Sequence, residues 1–376
     1  MSKRIGLDIR IFGSRMGGIG RYALELFPRI LSLDKENSYF LFYNKKSADP
    51  MELKVFQQFK NAQLVETNAR HYSFAEQTSF LKLLNKYNLD LVHFPNFNVP
   101  YFYKKPFVTT IHDMVHHKIS GAKKSRLLHF MAYTKIIEAA AKNSRAIITV
   151  SEYSKNDIVK YLNVPAEKIY VTYEGSSLNT AVEEELVNEV KKRYLLKRPY
   201  ILFVGVLERK KNVVNLTRGF DYFLQKYKAD MDLVVVGKAD SHYPEIKHKA
   251  LDIKNTSRLV FTGQVEEGEL RALYKGAYCF ATASLHEGFG LPGVEALSFG
   301  LPLLASNIPV FNEIYDNACV YFDPLDPKDI GEKMHLLSRD GKFYGQIQEK
   351  SFARSLLFNW DKTVSETLNI YRKILV

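Results

Sequence analysis

The chain is poor in cysteine and contains no long apolar run. Its only two cysteines, Cys279 and Cys319, lie inside short apolar stretches, which excludes a disulfide-stapled scaffold or a cysteine-rich zinc module and is typical of a reducing compartment. No stretch reaches the roughly 18 apolar residues that a membrane-spanning helix needs. The opening sequence, MSKRIGLDIRIFG, interleaves charged and apolar residues, unlike a signal peptide. We therefore expect a cytoplasmic protein, or one that rests on a membrane without crossing it.

The composition describes a folded chain with a basic excess. Hydrophobic residues make up 46% and charged residues 25% of the sequence, which excludes an intrinsically disordered chain. The 376 residues exceed the roughly 250–300 that one hydrophobic core serves, so two domains are expected. Lys and Arg number 53 against 41 Asp and Glu, a net charge of +12. Such an excess is typical of proteins that bind nucleic acids, anionic membranes or phosphorylated ligands.

Short apolar strands alternate with amphipathic helices in the first half of the chain. The predicted strands are Arg4–Ile9, Tyr39–Tyr43, Leu89–Phe94, Phe107–Ile111, Ala146–Val150 and Ile169–Thr172. The predicted helices are Ile19–Leu33, Phe74–Tyr87, Lys123–Lys142 and Ser154–Leu162. This alternation indicates a parallel sheet covered by helices on both faces.

A second alternating series follows the charged stretch Glu183–Arg198, which we interpret as a connection containing a solvated helix. Its predicted strands are Tyr200–Val204, Leu233–Val236, Leu259–Phe261, Cys279–Ala283, Leu303–Ala305 and Cys319–Phe322. Its predicted helices are Val213–Lys226, Glu269–Tyr274, Gly293–Phe299 and Lys328–Leu337, and the stretch Tyr344–Val376 is also helical in pattern. We predict two doubly wound α/β domains, residues 1–185 and 186–355, and a C-terminal helix (356–376) that packs back on the first domain. Ligands of such sheets bind beyond the carboxyl ends of the strands.

A glycine-rich segment, GSRMGGIGRY, follows the first strand and leads into a helix. Glycines there let a ligand approach the backbone and helix N-terminal amides. A dinucleotide site would require GxGxxG and an acidic residue after the second strand. The chain has GGIGRY, and Asn44-Lys45-Lys46 at that strand end, so the NAD interpretation fails. A tight turn at a helix start remains the alternative.

Histidines follow the predicted strand that ends in TTIHD. His112 and His116 are four residues apart, but a metal site would require helical spacing at a strand end and further ligands that the sequence does not identify. We favour a polarising or hydrogen-bonding role for His112.

Three consecutive cations, Arg209-Lys210-Lys211, precede a helix in the second half. A helix dipole disfavours positive charge at this end, whereas a phosphate could dock between the cations and the helix amides. A solvated basic turn is the alternative.

The strongest motif is EGFGLPGVEAL, residues 287–297, after the strand Cys279–Ala283. Pro292 favours a helix start there, so the backbone amides of the preceding loop can face an anion. Glu295, one turn inside the helix, could bind ribose hydroxyls, and Glu287, on the loop, could face a reacting sugar.

Together these motifs resemble the retaining glycosyltransferases of family 4, which have the GT-B fold. The similarity covers nearly the whole chain through GGIGRY, TTIHD, VSEYSKNDI, YEG, FVGVLERKKN, EGFGLPGVEAL, ASNIPVFNEI and YFDPLDPKDI. The Glu-x7-Glu pattern within EGFGLPGVEAL is the most specific element. The resemblance implies two Rossmann-like domains that face each other across a cleft.

The resemblance implies that the C-terminal domain binds most of a nucleotide-diphosphate sugar. Lys211, with either Arg209 or Lys210, would neutralise the diphosphate, and Glu295 would bind the ribose. Further hydrogen bonds would come from the backbone of Phe289, Gly290 and Leu291.

The same resemblance implies roles next to the reacting sugar. Glu287 would contact the donor sugar and His112 would hydrogen-bond the transferred sugar, while Gly17 and Gly18 would close over the phosphate. Lys211, Glu287 and His112 are thus the catalytic candidates. No metal or other cofactor is implied, and nothing in the sequence resembles the acidic pair that binds Mn²⁺ or Mg²⁺ in other transferases.

The resemblance implies transfer of a hexose, with mannose from GDP-mannose favoured, to a glycan or lipid-linked acceptor in surface polysaccharide or glycolipid synthesis. A UDP-sugar-dependent transferase, a nucleotide-sugar 2-epimerase and a non-catalytic accessory subunit are the alternatives. Nucleic acid is not an expected partner, because the strand-end motifs account for the basic residues better.

The basic excess is concentrated in residues 101–160, which hold eleven Lys and Arg against four Asp and Glu. Within them, residues 118–137 combine Lys123, Lys124 and Arg126 with apolar neighbours, a composition typical of an interfacial helix. We therefore hypothesise that the first domain rests on an anionic membrane surface. An ordinary core-facing helix is the alternative.

Overall fold

The computed structural model describes residues 2–13, 16–115, 124–176, 178, 180–241 and 243–376, without the side chains of 124–129. Two compact units divide the chain. The first comprises residues 1–174 and 359–376, and the second comprises 175–358. The limits predicted from the sequence are 185 and 355, whereas the helix Glu184–Arg193 lies wholly in the second unit.

The first unit contains a seven-stranded parallel sheet with the order β3-β2-β1-β4-β5-β6-β7. The strands are β1 (Arg4–Asp8), β2 (Ser38–Asn44), β3 (Ala62–Thr67), β4 (Leu91–Phe94), β5 (Phe107–Thr110), β6 (Ala146–Thr149) and β7 (Ile169–Val171). The helices up to this point are α1 (Gly17–Leu33), α2 (Pro50–Leu53), α3 (Leu81–Lys86), α4 (Lys124–Asn143) and α5 (Glu152–Leu162), and a π-helical turn (Glu76–Phe80) precedes α3.

The second unit contains a six-stranded parallel sheet with the order β10-β9-β8-β11-β12-β13. The strands are β8 (Tyr200–Val204), β9 (Asp232–Val236), β10 (Leu259–Gly263), β11 (Cys279–Thr282), β12 (Leu303–Ser306) and β13 (Cys319–Phe322). The helices are α6 (Glu184–Arg193), α7 (Val213–Tyr227), α8 (Glu245–Ala250), α9 (Glu267–Gly276), α10 (Leu291–Ser298), α11 (Pro309–Tyr315), α12 (Pro327–Arg339) and α13 (Gly341–Ser355). In both sheets the strand order reverses once, and this switch point is where doubly wound folds bind ligands.

Both faces of the first sheet are buried. Adjacent residues Ile147 and Ile148 of β6 belong to two different hydrophobic clusters, because successive side chains of a strand point to opposite faces. This arrangement explains why the parallel strands appear in the sequence as near-continuous apolar runs rather than as alternating patterns.

The last helix, α14 (Trp360–Leu375), belongs to the first unit. The side chain of Asn359 accepts a hydrogen bond from the amide of Asp361 and so caps this helix. Trp360 and Leu368 share a hydrophobic cluster with Leu26 of α1. The helical stretch predicted from Tyr344 onward is therefore two helices, α13 and α14, that belong to different units.

The predicted connection at Glu183–Arg198 is mostly the packed helix α6. Its Val187 and Val190 are buried, and Arg193 pairs with Glu269 of α9. The interpretation as a solvated helix is wrong on this buried face, although the remaining surface of the helix is charged.

Candidate functional site

The glycine-rich segment after β1 forms the N-terminus of α1. Gly17 and Gly18 are exposed, and a Cβ atom at either position would meet no atom within 4 Å. Gly20 is different, because a Cβ atom there would lie 2.4 Å from the carbonyl oxygen of Gly13. Thus Gly20 is required for packing, whereas Gly17 and Gly18 leave the helix N-terminus accessible to an anionic group.

His112 follows β5, and each of its two ring nitrogens lies near an oxygen atom of another residue. Nε2 lies 3.0 Å from the carbonyl oxygen of Pro95. Since a carbonyl oxygen can only accept, Nε2 carries a hydrogen. Nδ1 lies 3.5 Å from a carboxylate oxygen of Glu174, and the hydroxyl of Ser154 donates to the backbone oxygen of His112. The histidine is therefore held at both ring edges and at its backbone.

A buried polar network lies behind His112. His93 contacts the hydroxyls of Tyr371 at 2.5 Å and Thr110 at 2.8 Å, and the ring of Tyr22 meets His112 edge-on at 4.8 Å. Burial, with a smaller contribution from the charge of His112, lowers the pKa of His93 to about 3. His93 is therefore neutral at physiological pH and links β4 to α14.

The end of β1 holds a second charged cluster in the first unit. The Arg10 guanidinium contacts Asp8 at 2.8 Å and Glu76 at 3.4 Å and lies over the ring of Phe80. With all these groups buried, the arginine is compensated by two carboxylates, as a structural charge cluster requires.

The three cations of the second unit occupy a short 3-10 turn, Arg209–Lys211, between β8 and α7. Asn212, in the left-handed conformation at φ 52°, joins this turn to α7, and its side chain donates to the carbonyl of Pro324. The amide of Leu285 donates to the backbone oxygen of Lys210 at 2.8 Å. This bond ties the cationic turn to the loop that carries Glu287.

Lys211 and Glu287 form the central contact of the second unit. The Lys211 ammonium lies 2.5 Å from Glu287 Oε1, and the two side chains are 15% and 10% exposed. The hydroxyl of Ser284 donates to the same oxygen at 2.8 Å. Burial alone would raise the pKa of Glu287, but the charges of Lys211 and Lys210 and these hydrogen bonds outweigh it, so the pKa is lowered. Glu287 is thus an ionised carboxylate at neutral pH.

The neighbouring cations point in different directions. Arg209 is 70% exposed, pairs with Glu245 and lies 4.9 Å from the centre of the Tyr243 ring. The Lys210 side chain is 23% exposed and lies 3.5 Å from Glu208, and its charge acts on Glu287.

The loop before α10 is shaped by tight packing around Gly290. Gly290 has φ 96°, and a Cβ atom there would lie 2.3 Å from the hydroxyl of Tyr315. That hydroxyl donates to the Gly290 carbonyl at 2.8 Å. The Phe289 side chain is buried edge-on against Phe358, so this residue can offer a ligand only its backbone. Leu291 begins α10.

Glu295 lies inside α10 and is buried. The Tyr274 hydroxyl lies 3.0 Å from Glu295 Oε2, and the Tyr274 ring stacks on Phe299. The tyrosine therefore holds one carboxylate oxygen of Glu295 in place.

The structure brings Lys211, Glu287 and Lys210 together, and it places His112, Gly17 and Gly18 in the other unit. The side chains that hold these residues were not predicted from the sequence; they are Glu174, Ser284, Tyr274 and Tyr315. Only Glu174 had a signal, since it lies in the YEG motif. His116, His117 and Lys123 lie outside the described residues. Among the residues described, no three His, Cys, Asp or Glu side chains cluster as metal ligands.

Comparison with known proteins decides the family. A model of glycosyltransferase family 4 matches residues 16–179, and a model of glycosyl transferases group 1 matches residues 187–354. The chain belongs to the family 4 glycosyltransferases. The predicted membership and the predicted pair of Rossmann-like domains are confirmed.

Known proteins resemble this glycosyltransferase over about half or nearly all of its length. O-antigen chain mannosyltransferase B of Escherichia coli is 24% identical over 94% of this chain and 96% of its own. O-antigen chain mannosyltransferase RfbU of Salmonella typhimurium is 28% identical over 51% of each chain. A glycosyltransferase structure from Rickettsia africae superposes with a TM-score of 0.74 at 18% identity, covering 100% of this chain and 99% of its own. That structural likeness concerns the fold alone.

Proposed function

We propose that this glycosyltransferase moves a hexose, with mannose favoured, from a nucleotide-diphosphate sugar to a glycan or lipid-linked acceptor, retaining the anomeric configuration. The mannosyl preference is supported by the names of the relatives in Escherichia coli and Salmonella. GDP-mannose is the first donor to test, because the sequence motifs resemble transferases for which that donor is favoured. The observation that carries the proposal is the contact between Lys211 and Glu287.

That contact suits a sugar diphosphate. An ammonium has three donors, so Lys211 can bind Glu287 and phosphate oxygens at the same time. Positive charge held in a partly buried site stabilises the negative charge that develops on the departing phosphate, which is the main catalytic contribution expected here. Both neighbouring cations have carboxylate partners, Glu208 for Lys210 and Glu245 for Arg209. Lys210 is the better second ligand because its charge acts on Glu287 and its side chain is more buried.

Glu287 and Glu295 are placed to accept hydrogen bonds from hydroxyl groups of the donor. Because the pKa of Glu287 is lowered, this carboxylate accepts hydrogen bonds from sugar hydroxyls rather than donating a proton. Glu295, fixed by Tyr274, would accept from the ribose hydroxyls. The backbone of Phe289, Gly290 and Leu291 would contribute further hydrogen bonds to the diphosphate.

The first unit would contribute His112, Gly17 and Gly18. The exposed start of α1 suits an anionic group, and His112 suits a sugar hydroxyl. In the reaction the bond from the anomeric carbon to the phosphate oxygen breaks, and a bond from that carbon to the acceptor oxygen forms on the same face. The acceptor's proton passes to the departing phosphate, so neither a metal ion nor a separate protein base is required.

A donor panel tests this proposal. GDP-, UDP-, ADP- and dTDP-sugars are incubated with the full chain, alone and with lipid-linked acceptors, and nucleotide release and the anomeric configuration of the product are measured. We expect release from GDP-mannose and a retained anomer. Preferential release from a UDP-sugar would favour the alternative donor, and no release from any donor would favour a non-catalytic accessory subunit.

A membrane surface as an additional partner remains a proposal about residues 118–137. The part of α4 that the structure describes directs Ile137, Ala140 and Ala141 into the core and leaves Met131 exposed. Along the described chain, no helix combines the length and apolar character needed to cross a bilayer. Co-sedimentation with anionic and neutral liposomes at two salt concentrations tests the idea, and binding that ignores both lipid charge and salt would refute it.

A further inference from the structure

Glu174 is a buried carboxylate with no role in the mechanism given above. It follows β7 in the YEG motif and is 6% exposed. A buried carboxylate is costly unless an opposite charge or hydrogen-bond donors compensate it. The group facing Oε1 of Glu174 at 3.5 Å is Nδ1 of His112.

The hydrogen on the other ring nitrogen of His112 bears on whether Nδ1 also carries one. Nε2 must carry a hydrogen, because its partner is the carbonyl oxygen of Pro95 at 3.0 Å. An ionised Glu174 can also only accept. With an acceptor on each side, attraction at both ring nitrogens calls for a hydrogen on each of them, and the Nδ1 contact at 3.5 Å is an ion pair when the ring is protonated.

Among the residues that the structure describes, the titratable side chains packed against His112 do not supply a competing positive charge. His93, on β4, is neutral because burial lowers its pKa. Tyr22, on α1, stays protonated because burial raises its pKa. The carboxylate of Asp113 accepts the amide hydrogen of Val115 and adds negative charge to the surroundings.

We propose that Glu174 is a positioning residue that keeps His112 doubly protonated and fixes its ring, so that His112 meets a sugar oxygen as a hydrogen-bond donor. The contact between Nδ1 and the carboxylate is long, and 15% of the histidine side chain is exposed. The Nδ1 hydrogen can therefore be shared between Glu174 and a substrate oxygen. This inference rests on the proposed transferase function.

The protonation state can be measured without turnover. The full chain is labelled with ¹⁵N-histidine, the two-bond ¹H–¹⁵N spectrum is recorded at neutral pH, and a His112→Asn variant assigns the ring signals. We expect both nitrogens of His112 to resonate as protonated nitrogens. In Glu174→Gln we expect Nδ1 to lose its hydrogen, because a neutral amide does not stabilise the imidazolium. Glu25→Gln, which removes a carboxylate paired with Arg29 elsewhere in the unit, should leave the spectrum unchanged.

Kinetics separate positioning from a merely structural role. We expect Glu174→Gln to lower kcat by about tenfold or more, because the hydrogen-bonding polarity of the histidine is reversed. GDP affinity should be unchanged, since GDP carries no hexose. Glu174→Asp, which keeps the charge, should recover part of the activity and also serves if the Gln variant folds poorly.

A wild-type His112 whose Nδ1 lacks a hydrogen would overturn the proposal, and so would a Glu174→Gln variant with wild-type spectrum and kcat. A wild-type enzyme that releases no nucleotide from any donor would instead refute the transferase function, while the spectra would still decide the state of the pair.

Discussion

The two units place different chemistry at the carboxyl ends of similar parallel sheets. In the second unit, a lysine meets a glutamate at 2.5 Å and a second lysine adds its charge. In the first unit, one histidine lies between a carbonyl and a carboxylate, backed by a neutral network of hydroxyls and a second histidine. A concentration of cations suits phosphate, whereas a single oriented histidine suits the geometry of a hydroxyl group. We propose on this basis that the two units recognise different parts of the donor.

We expect the largest loss of activity from removing Lys211, the central cation of the second unit. We expect Lys211→Met to lower kcat by about 100- to 1,000-fold, as the loss of a preorganised charge at a departing group does. It should also destabilise the protein, because Glu287 is left as an uncompensated buried charge. Nucleotide release and thermal unfolding measure the two effects.

Two further variants separate these effects. Lys211→Met combined with Glu287→Gln should recover stability without recovering activity. Lys226→Met, which removes an exposed lysine paired with Glu332, should change neither by much. Full activity in Lys211→Met would exclude the phosphate role of this residue.

Gly290 tests whether the loop of the second unit depends on close packing. Gly290→Ala combines an unfavourable φ with a collision at the Tyr315 hydroxyl, so we expect a loss of about 2–4 kcal/mol in the free energy of unfolding. Gly345→Ala is the control, because its Cβ atom meets nothing within 4 Å inside α13. It should be neutral or stabilise by up to about 1 kcal/mol, and equal effects of the two variants would contradict the packing argument.

The pH dependence of protein stability tests the neutral hydrogen-bond network around His93 in the first unit. Its folded pKa of about 3 lies below the ordinary value of 6.5, so below pH 6.5 the unfolded chain binds a proton that the folded chain does not. Stability from this residue is therefore complete above that pH and is lost as the pH falls towards 3. Between pH 6.5 and about 5 the loss should be about 2 kcal/mol.

Denaturant unfolding of wild type and His93→Gln across this pH range measures that loss. The difference in stability between the two proteins should shrink as the pH falls. A difference independent of pH would show that His93 titrates normally in the folded protein.

The smallest expected effect is a difference in donor KM between variants of two adjacent cations, Lys210 and Arg209. We expect Lys210→Met to raise the KM for the donor by about tenfold, since a charge-assisted hydrogen bond contributes about 1.5–3 kcal/mol. Arg209→Met, which removes a contact with Tyr243 and Glu245, should raise it less than about threefold. The opposite order would assign the diphosphate contact to Arg209.

The sequence predicted the strands that are buried on both faces, because those strands are continuous apolar runs. It did not predict β3, which lies at the edge of its sheet and buries only part of its length. It also joined α13 and α14 into one helical stretch, because the signal that separates them is a single capping asparagine, Asn359. The edge strands β7, β10 and β13 were predicted, so the edge position alone does not explain why β3 was missed. The sequence of β3, AQLVET, mixes polar and apolar residues and forms no continuous apolar run.

The candidate site residues stay predictions, and the side chains that hold them in place came only from the structure. Lys211, Glu287 and Glu295 lie in recognisable motifs close to strand ends. Glu174 and Tyr274 contact His112 and Glu295, which are distant from them in the chain. No local pattern predicts these pairings, although Glu174 itself lies in the YEG motif. The choice between Arg209 and Lys210 likewise required the burial of their side chains in the structure.

Binding of GDP measured by calorimetry tests the division between the two units most directly. Lys211→Met should weaken GDP binding by about 10- to 100-fold, whereas His112→Asn should bind GDP as wild type does and yet fail to transfer the sugar. A His112→Asn variant that loses GDP affinity, with a Lys211→Met variant that keeps it, would contradict the account.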